Sequence, residues 1–294
     1  MSNNWRQEYE KAVLNGNIAT ARQIVHNNAS QIKLLKFFRG TILQLNTVMS
    51  GNFWLSNAKF FNDPYDSLKL ANVRSKLQYN RFDPAERKLA IEEYEEQIKS
   101  NSIAYTIQNS IFVTCLAETP ISNLHMWSYY ADEHKGFCAE YSLQKLIDNG
   151  IDIFPVVYTE KWNADRNNPE FSTQVALMKG IEWGHEKEWR IVRVCSNDIN
   201  KKGIKCTAVM PEAIYVGCRD QEHIADNWNL YRSLENVFKK KQLVIDYVFY
   251  GDDCKISLNE VLDQCEKHGE NKIPVFSMTL DEGMFGLRPR EVIY

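Results

Sequence analysis

The chain has 294 residues and a mass of 34.3 kDa, with 44% hydrophobic and 25% charged residues. This ordinary globular balance excludes a wholly disordered chain. The formal net charge of −3 argues against a nucleic-acid-binding protein that relies on bulk attraction, although a local basic groove is compatible with it.

The cysteines and the N-terminus indicate the compartment. Seven cysteines are scattered singly and none forms a C-x-x-C pair, so we expect neither a disulfide framework nor structural zinc. The polar start "MSNNWRQEYEKAV" lacks the apolar core of a signal peptide, and no apolar run reaches the roughly 18 residues of a membrane span. We therefore expect a reduced, soluble, cytoplasmic protein with no membrane association.

Residues 1–30 have the pattern of a helical pair. A first helix begins near an Asn cap and ends at Gly16, and a second continues with Ala19, Ile24 and Val25 on a helical period. Only one copy of this unit occurs, which excludes a solenoid array. The favoured interpretation is a cap packed on the main domain. The alternative is a surface for a homo-oligomer or a partner protein.

The remaining chain, residues 31–294, is predicted to form a single α+β domain. Apolar, β-branched and aromatic runs predict strands, and these runs are "KLLKFF", "NFWLS", "IFVTC", "FCAEYS", "FPVVYTEKW", "KEWRIVRVC", "IKCTAVM", "AIYVGC" and "LVIDYVFYG". Capping and spacing predict helices, and these segments are "DPAERKLAIEEYEEQIKS", "PISNLHMWSYYADEHKG" (120–136), "SLQKLIDNG" and residues 221–240. The order lacks βαβ regularity, which favours mainly antiparallel twisted sheet flanked by helices.

One strand candidate carries charges on alternate positions. In "EWGHEKEWRIVRV", single residues separate Glu186, Glu188 and Arg190. Side chains two positions apart on a strand point the same way, with Cα atoms roughly 6.6 Å apart, so these three are predicted to share a face. The opposite, core-facing side is predicted to hold His185, Trp189 and Ile191. The alternative is an exposed charge ladder, contributing only about a few tenths of a kcal/mol per pair.

The stretch "FNDPYD" follows the second strand candidate and admits three interpretations. Asn62 and Asp63 precede Pro64, which is typical of a turn whose side chains bond the local backbone. Asp63 can instead hold a ligand beside a cleft, or act with Asp66 on a metal ion. The turn is the favoured interpretation.

The stretch "MWSYYADEHKG" offers further candidates. Trp127 and Tyr130 are either core residues of an amphipathic helix or a stacking wall for a ligand. His134 is predicted to lie in a loop, where functional residues are more common, as a general base or as a solvated capping residue. For Lys179 and Lys187, a solvated face is favoured over phosphate binding.

Four motifs occur in order over residues 34–220. They are "LLKFFRG", "FWLSNAKFFNDPYD", "MWSYYADEHKGFCAEY" and "MKGIEWGHEKEWRIV". In this combination they resemble the bacterial family called domain of unknown function 2971. Two departures stand out, because Phe37 and Phe38 replace a single usual tyrosine and Tyr129 replaces a common histidine. The family name implies no activity.

A second, looser resemblance is to the ADP-ribosyltransferase fold. An arginine on a first strand, a serine on a second and Glu-x-Glu on a later strand form the layout of that fold, and here they are Arg39, Ser56, Glu186 and Glu188. The resemblance implies a similar core, with NAD as substrate and these four residues as the catalytic set. It assigns no residue to a metal. The residues expected to bind the cofactor are Lys36, Arg39, Asn62, Asp63, Tyr65, Trp127, Tyr130, His134 and Arg190.

The chemistry expected of these residues is cleavage of the N-glycosidic bond of NAD. The bond breaks through an oxocarbenium-like sugar, which carboxylates stabilise. One glutamate would bond a ribose hydroxyl, the second would orient or deprotonate the acceptor, and Arg39 would clamp the pyrophosphate. Ser56 would buttress a glutamate, and Tyr65 or Tyr130 would stack on the nicotinamide.

Three functions of different classes follow from this pattern. The leading hypothesis is an ADP-ribosyltransferase that modifies an unknown protein or nucleic acid, as a bacterial toxin or anti-phage effector. The second is a metal-dependent nuclease with a divalent ion among Asp63, Asp66, Glu186 and Glu188. The third is a non-catalytic sensor that binds a nucleotide or a partner in the same cleft. No Rossmann, P-loop or nucleophile-elbow motif occurs.

Overall fold

The computed structural model describes residues 4–61, 63, 109–160, 164, 168–195, 201–219, 258–267, 273–281 and 286–291. The α-helices in these ranges are α1 (Asn4–Leu14), α2 (Ile18–Asn27), α3 (Ile42–Met49), α4 (Leu124–Tyr130), α5 (Leu143–Asp148), α6 (Phe171–Ala176) and α7 (Leu258–Lys267). The strands are β1 (Lys33–Phe38), β2 (Asn52–Asn57), β3 (Ile111–Ala117), β4 (Phe137–Ser142), β5 (Ile153–Pro155), β6 (Val157–Thr159), β7 (Met178–Gly180), β8 (Glu188–Val194), β9 (Gly203–Thr207), β10 (Ala213–Val216), β11 (Val275–Leu280) and β12 (Leu287–Glu291). Two 3-10 helices, Ala58–Phe60 and Ile181–Glu186, complete the list.

Side-chain caps explain where several helices begin. Asn17 accepts a hydrogen bond from the Thr20 amide at the start of α2, and Thr41 does the same for Gln44 at the start of α3. Asn123 accepts from the first amides of α4. Each cap satisfies amides that have no partner within their own helix.

Ten strands form one mainly antiparallel sheet. Its main path runs β12-β11-β10-β4-β1-β3-β2-β9, and β8 joins it by pairing with β3 and β5. The β10–β11 pair is parallel, and β6 and β7 form a separate parallel pair. The predicted α+β class with mainly antiparallel sheet flanked by helices is confirmed. An ADP-ribosyltransferase core stays a prediction.

The sheet forks at β3. One edge of β3 pairs with β8 along its whole length. The other edge pairs with β1 at Ala117 and with β2 at Phe112 and Val113. Cys115 therefore lies at the gap where β1 and β2 separate.

Alternation along the strands gives each face of the sheet its own core. Leu34 and Phe38 of β1 belong to the larger apolar cluster, whereas Leu35 and Phe37 belong to a second cluster around α4. This is the period of two expected when a strand is buried on both faces.

The N-terminal helical pair packs into the larger cluster. Residues of both helices, among them Val13 and Val25, share that cluster with the sheet. The Tyr9 hydroxyl donates to the Pro155 carbonyl at 2.6 Å, and the Gln174 amide donates to the Val13 carbonyl at 2.9 Å. The helical pair thus shares its apolar core and these two hydrogen bonds with the rest of the chain, and the division into a cap and a main domain stays a prediction.

Several boundaries differ from the predictions. The helix predicted for 120–136 is wrong in length, since α4 covers only 124–130 and Asp132, Glu133 and His134 adopt left-handed backbone angles of 49–72°. The elements α3, α6, α7, β7, β11 and β12 were not predicted. The predicted helices at 83–100 and 221–240 and the strand at 243–251 lie outside the described residues.

Within the described ranges, no helix is both long enough and apolar enough to cross a membrane. Six cysteines lie in these ranges and all are free thiols.

Candidate functional site

A cavity of about 210 Å³ lies beside the fork of the sheet. We call it the glutamate cavity. Its apolar lining comes from β1, β3 and α4, and its polar lining contains two carboxylates and two amines. The lining residues are Leu35, Lys36, Phe37, Phe61, Cys115, Leu116, Ala117, Met126, Tyr130, Lys179, Glu186 and Glu188.

The two glutamates reach the cavity from different elements. Glu186 ends a 3-10 helix, Lys187 follows with a left-handed φ of 47°, and Glu188 begins β8. The prediction that three charges stand along one strand face is therefore wrong for Glu186. The exposed-ladder alternative is also wrong, because Glu186 and Glu188 are only 4% and 5% exposed. His185, predicted to face the core, is exposed.

A buried ion network joins these side chains. Lys179 Nζ lies 2.6 Å from Glu186 Oε2 and 3.0 Å from Glu188 Oε2. Arg190 Nε and Nη2 donate to the two oxygens of Glu188 at 2.8 and 3.1 Å, and Arg190 Nη1 donates to the Ala176 carbonyl at 2.8 Å. Arg190 itself is 0% exposed. Charges in the network thus alternate from Arg190 to Glu186.

The network fixes its own protonation. Burial alone raises the pKa of Glu188, but the charges of Arg190 and Lys179 outweigh burial and lower this pKa to about 2. Burial likewise opposes the charged form of Lys179, yet Glu188 and Glu186 raise its pKa above the ordinary value. Glu188 and Lys179 are therefore both ionised at neutral pH.

Neutral hydroxyl and thiol groups complete the wall. The Tyr130 hydroxyl donates to Glu186 Oε1, and burial together with this bond raises the Tyr130 pKa. Burial and the neighbouring Glu188 raise the pKa of the Cys115 thiol well above its ordinary value. Cys115 is thus a protonated thiol and a poor nucleophile at neutral pH.

Lys36 occupies the fork. Its Nζ donates to the backbone carbonyl of Cys115 at 3.0 Å. Neither β1 nor β2 pairs with β3 at this residue. Burial lowers the pKa of Lys36, and Cys115 and Glu188 oppose that effect. Lys36 and Phe37 also line a second cavity.

This second cavity has about 530 Å³ and contains Arg39 and Ser56. We call it the basic cavity, because its charged lining residues are Lys36, Arg39 and Lys205. The structure thus brings Glu186 and Glu188 together and places Arg39 and Ser56 in the adjoining cavity. Ser56 pairs with Val113 and Gly203 across the sheet, and lies outside the lining of the glutamate cavity.

The other predicted site residues are dispersed. Trp127 lies in the core with its ring edge-on to Phe37 at 5.3 Å. His134 is half-buried, and burial and Arg219 lower its pKa. Asp63 is buried. Asn62, Tyr65 and Asp66 lie outside the described residues.

Two residues of the site were not predicted. Lys179 was expected on a solvated face, but its side chain is 6% exposed and holds both glutamates. Tyr158, whose hydroxyl accepts from the Glu188 amide at 2.9 Å, was not considered. The motif "MKGIEWGHEKEWRIV" contains Lys179 beside both glutamates, which was the available signal.

The carboxylates of Glu186 and Glu188 form ion pairs with Lys179 and Arg190. In the described part of the chain, no group of three or more His, Cys, Asp or Glu side chains is arranged to hold a metal ion. Among these residues, Glu186 and Glu188 therefore form an ion network rather than an open set of metal ligands.

Residues 126–191 match one protein-family model. That family is DUF2971, a protein of unknown function. The DUF2971 segment contains Tyr130, Lys179, Glu186 and Glu188, so the predicted family resemblance is confirmed over the part of the chain that forms the polar wall. No curated protein and no solved structure matches the chain.

Proposed function

We propose that the chain is an NAD-dependent enzyme of the ADP-ribosyltransferase type that modifies a protein or a nucleic acid. The observation that carries the proposal is the pair of buried glutamates in a small cavity that adjoins a larger basic cavity. Cleavage of the nicotinamide–ribose bond develops positive charge on the sugar. Fixed carboxylates in a water-poor cavity stabilise such charge more strongly than water does.

Glu186 is the better candidate for contact with the substrate. A carboxylate offers about four acceptor positions. Glu188 accepts twice from Arg190 and once from Lys179, so most of its capacity is used. Glu186 accepts from Lys179 and Tyr130, which leaves room for a ribose hydroxyl. Glu188 is then a positioning residue that fixes Lys179.

The sizes of the two cavities suit a substrate that extends from one cavity into the other. The glutamate cavity, about 210 Å³, lies below the roughly 300–1,000 Å³ of pockets that enclose a whole drug-sized ligand. It suits the nicotinamide riboside end alone, while Arg39 in the basic cavity is a donor for the pyrophosphate.

The proposed step balances without a further reactant. The C1′–N bond breaks and its electron pair leaves with neutral nicotinamide. A lone pair of the acceptor forms the new bond to C1′, and the acceptor proton passes to Glu186 or to water.

The test is release of nicotinamide from labelled NAD by the purified full-length chain with protein and RNA acceptors. We expect Glu186→Gln to lower the rate by roughly 10²–10³-fold. Glu182→Gln, which changes an exposed carboxylate of the same 3-10 helix, should leave the rate unchanged. No release by the wild type with any acceptor, or equal release by Glu186→Gln, would refute the proposal.

A toxin or anti-phage role is part of the same proposal. Expression in a bacterial host should arrest growth, and Glu186→Gln should relieve the arrest. Arrest by both chains at matched expression would separate the effect from the proposed chemistry.

A further inference from the structure

The basic cavity has a polar lining with one sign of charge. Its cationic lining residues are Lys36, Arg39 and Lys205, and none of its lining residues in the described part of the chain is acidic. Its volume of about 530 Å³ falls within the usual range for small-molecule sites. A cavity with three cations and no carboxylate favours a multiply charged anion.

An aromatic ring stands at the wall of this cavity. Trp54 is 47% exposed and pairs across the β2–β9 ladder with Lys205. Its indole lies against the backbone of Gly203, where an added Cβ would come within 2.4 Å of the ring. The absence of a side chain at Gly203 therefore leaves room for the indole to pack on the backbone, while the Trp54 residue stays about half exposed. A fixed, exposed indole beside a cation is the arrangement on which nucleobases stack.

The cavity also contains an unsatisfied acceptor. Gln44 lines it from α3, and its Oε1 atom is buried without a hydrogen-bond partner among the described residues. Buried acceptors normally have a donor. The amino group of a base or a ribose hydroxyl supplies one, whereas a fully ionised inorganic phosphate does not. Because Gln44 Oε1 is buried, a nucleoside would satisfy this acceptor only after the Gln44 side chain turned toward the cavity.

We infer that the basic cavity binds a purine nucleoside diphosphate, with the base on Trp54 and the diphosphate at Lys205 and Arg39. The ligand is either free ADP or the ADP half of a dinucleotide. In the second case the inference rests on the proposed function, because the nicotinamide end would then lie in the glutamate cavity across Lys36.

Calorimetric titration of the full-length chain with ADP tests the inference. Stacking on one aromatic ring contributes about 1–3 kcal/mol per base, so Trp54→Ala should raise the Kd for ADP roughly 5- to 140-fold at about 1.4 kcal/mol per tenfold. Trp54→Phe should retain most of the affinity. The matched control is Tyr129→Ala, because Tyr129 is a 69% exposed aromatic outside both cavities.

Inorganic pyrophosphate and NAD complete the experiment. Pyrophosphate should bind more weakly than ADP and should not respond to Trp54→Ala. An NAD affinity that Trp54→Ala reduces as much as the ADP affinity identifies the dinucleotide as the ligand, and an effect on ADP alone identifies the free nucleotide. The inference is overturned if ADP does not bind, if pyrophosphate binds equally well, or if Trp54→Ala leaves the Kd unchanged in a folded protein.

The two proposals fail separately. ADP binding that depends on Trp54, without nicotinamide release, supports the basic cavity and refutes the enzyme. Nicotinamide release by the wild type, together with an ADP affinity that Trp54→Ala leaves unchanged, supports the enzyme and refutes the nucleotide site.

Discussion

Glu188→Gln tests whether the buried ion network stabilises the fold. The substitution keeps the shape of the side chain but removes the charge that faces Arg190 and Lys179. The pKa of Glu188 falls from the ordinary value of 4.5 to about 2, which corresponds to about 3 kcal/mol of stabilisation by the ionised form. That figure lies within the roughly 3–5 kcal/mol lost when one partner of a buried pair is removed.

The sign of the pH dependence follows from the lowered pKa. Because the folded state holds Glu188 ionised below its ordinary pKa of 4.5, its contribution is complete above pH 4.5 and is lost as pH falls toward 2. The deficit of Glu188→Gln relative to wild type should be about 3 kcal/mol at pH 7, nearly the same at pH 5, and less than half as large at pH 3.

Urea unfolding monitored by tryptophan fluorescence at these pH values measures the deficit. Glu182→Gln, at an exposed position of the adjacent 3-10 helix, should change the free energy of unfolding by less than about 0.5 kcal/mol. A deficit below about 1 kcal/mol at pH 7, or one that stays constant down to pH 3, would refute the reasoning.

Three further substitutions probe other contacts. Lys179→Met leaves two buried carboxylates without their shared cation, so unfolding measurements should show a deficit of about 3–5 kcal/mol that shrinks in acid as one carboxylate takes up a proton. Tyr9→Phe leaves the buried Pro155 carbonyl without its donor and should cost about 1–3 kcal/mol in urea unfolding, whereas no loss would show that the helical pair is not anchored there. Gly217→Ala would place a Cβ 2.1 Å from a backbone oxygen and should lower Tm far more than Gly286→Ala, whose added Cβ meets no atom of the described residues within 4 Å; equal Tm values would contradict this packing.

Strand positions could be predicted from the sequence because both faces of this sheet are buried. The run "KLLKFF" has apolar residues at both odd and even positions, which is typical of a strand buried on both faces. The strand β1 has the predicted bounds 33–38. Short helices without a strong cap-and-period pattern, such as α6, could not be predicted. Its start has no side-chain cap hydrogen bond, so the sequence contains no local signal.

The positions of Glu186 and Glu188 depend on the backbone conformation of the residue between them, which the sequence pattern does not predict. Lys187 adopts a left-handed φ of 47°, a conformation that non-glycine residues seldom adopt. It ends the 3-10 helix one residue before β8 and lets both carboxylates converge on Lys179. The same is true of residues 132–134, whose left-handed angles shorten the helix that the pattern predicted.

The placement of Arg39 and Ser56 depended on tertiary pairing. Chain order puts an arginine after β1 and a serine on β2, but only the fork of β3 decides that these strands diverge there. Because neither strand pairs with β3 at Cys115, the carbonyl at that position needs another donor, and Lys36 supplies it. Filling the gap in this way makes one lysine part of both cavity walls.

The shared wall gives the two proposals a common physical origin. A continuous ladder between β1, β3 and β2 would have sealed the space with backbone hydrogen bonds and left no room for a ligand. At the fork, the Lys36 side chain takes the place of those bonds. It lies between the cavity that contains Glu186 and Glu188 and the cavity that contains Arg39 and Lys205. A dinucleotide has the matching order of groups, since its sugar–nicotinamide bond develops positive charge and its diphosphate is negative. Loss of NAD affinity in Trp54→Ala together with loss of turnover in Glu186→Gln would place the two halves of one ligand on opposite sides of Lys36.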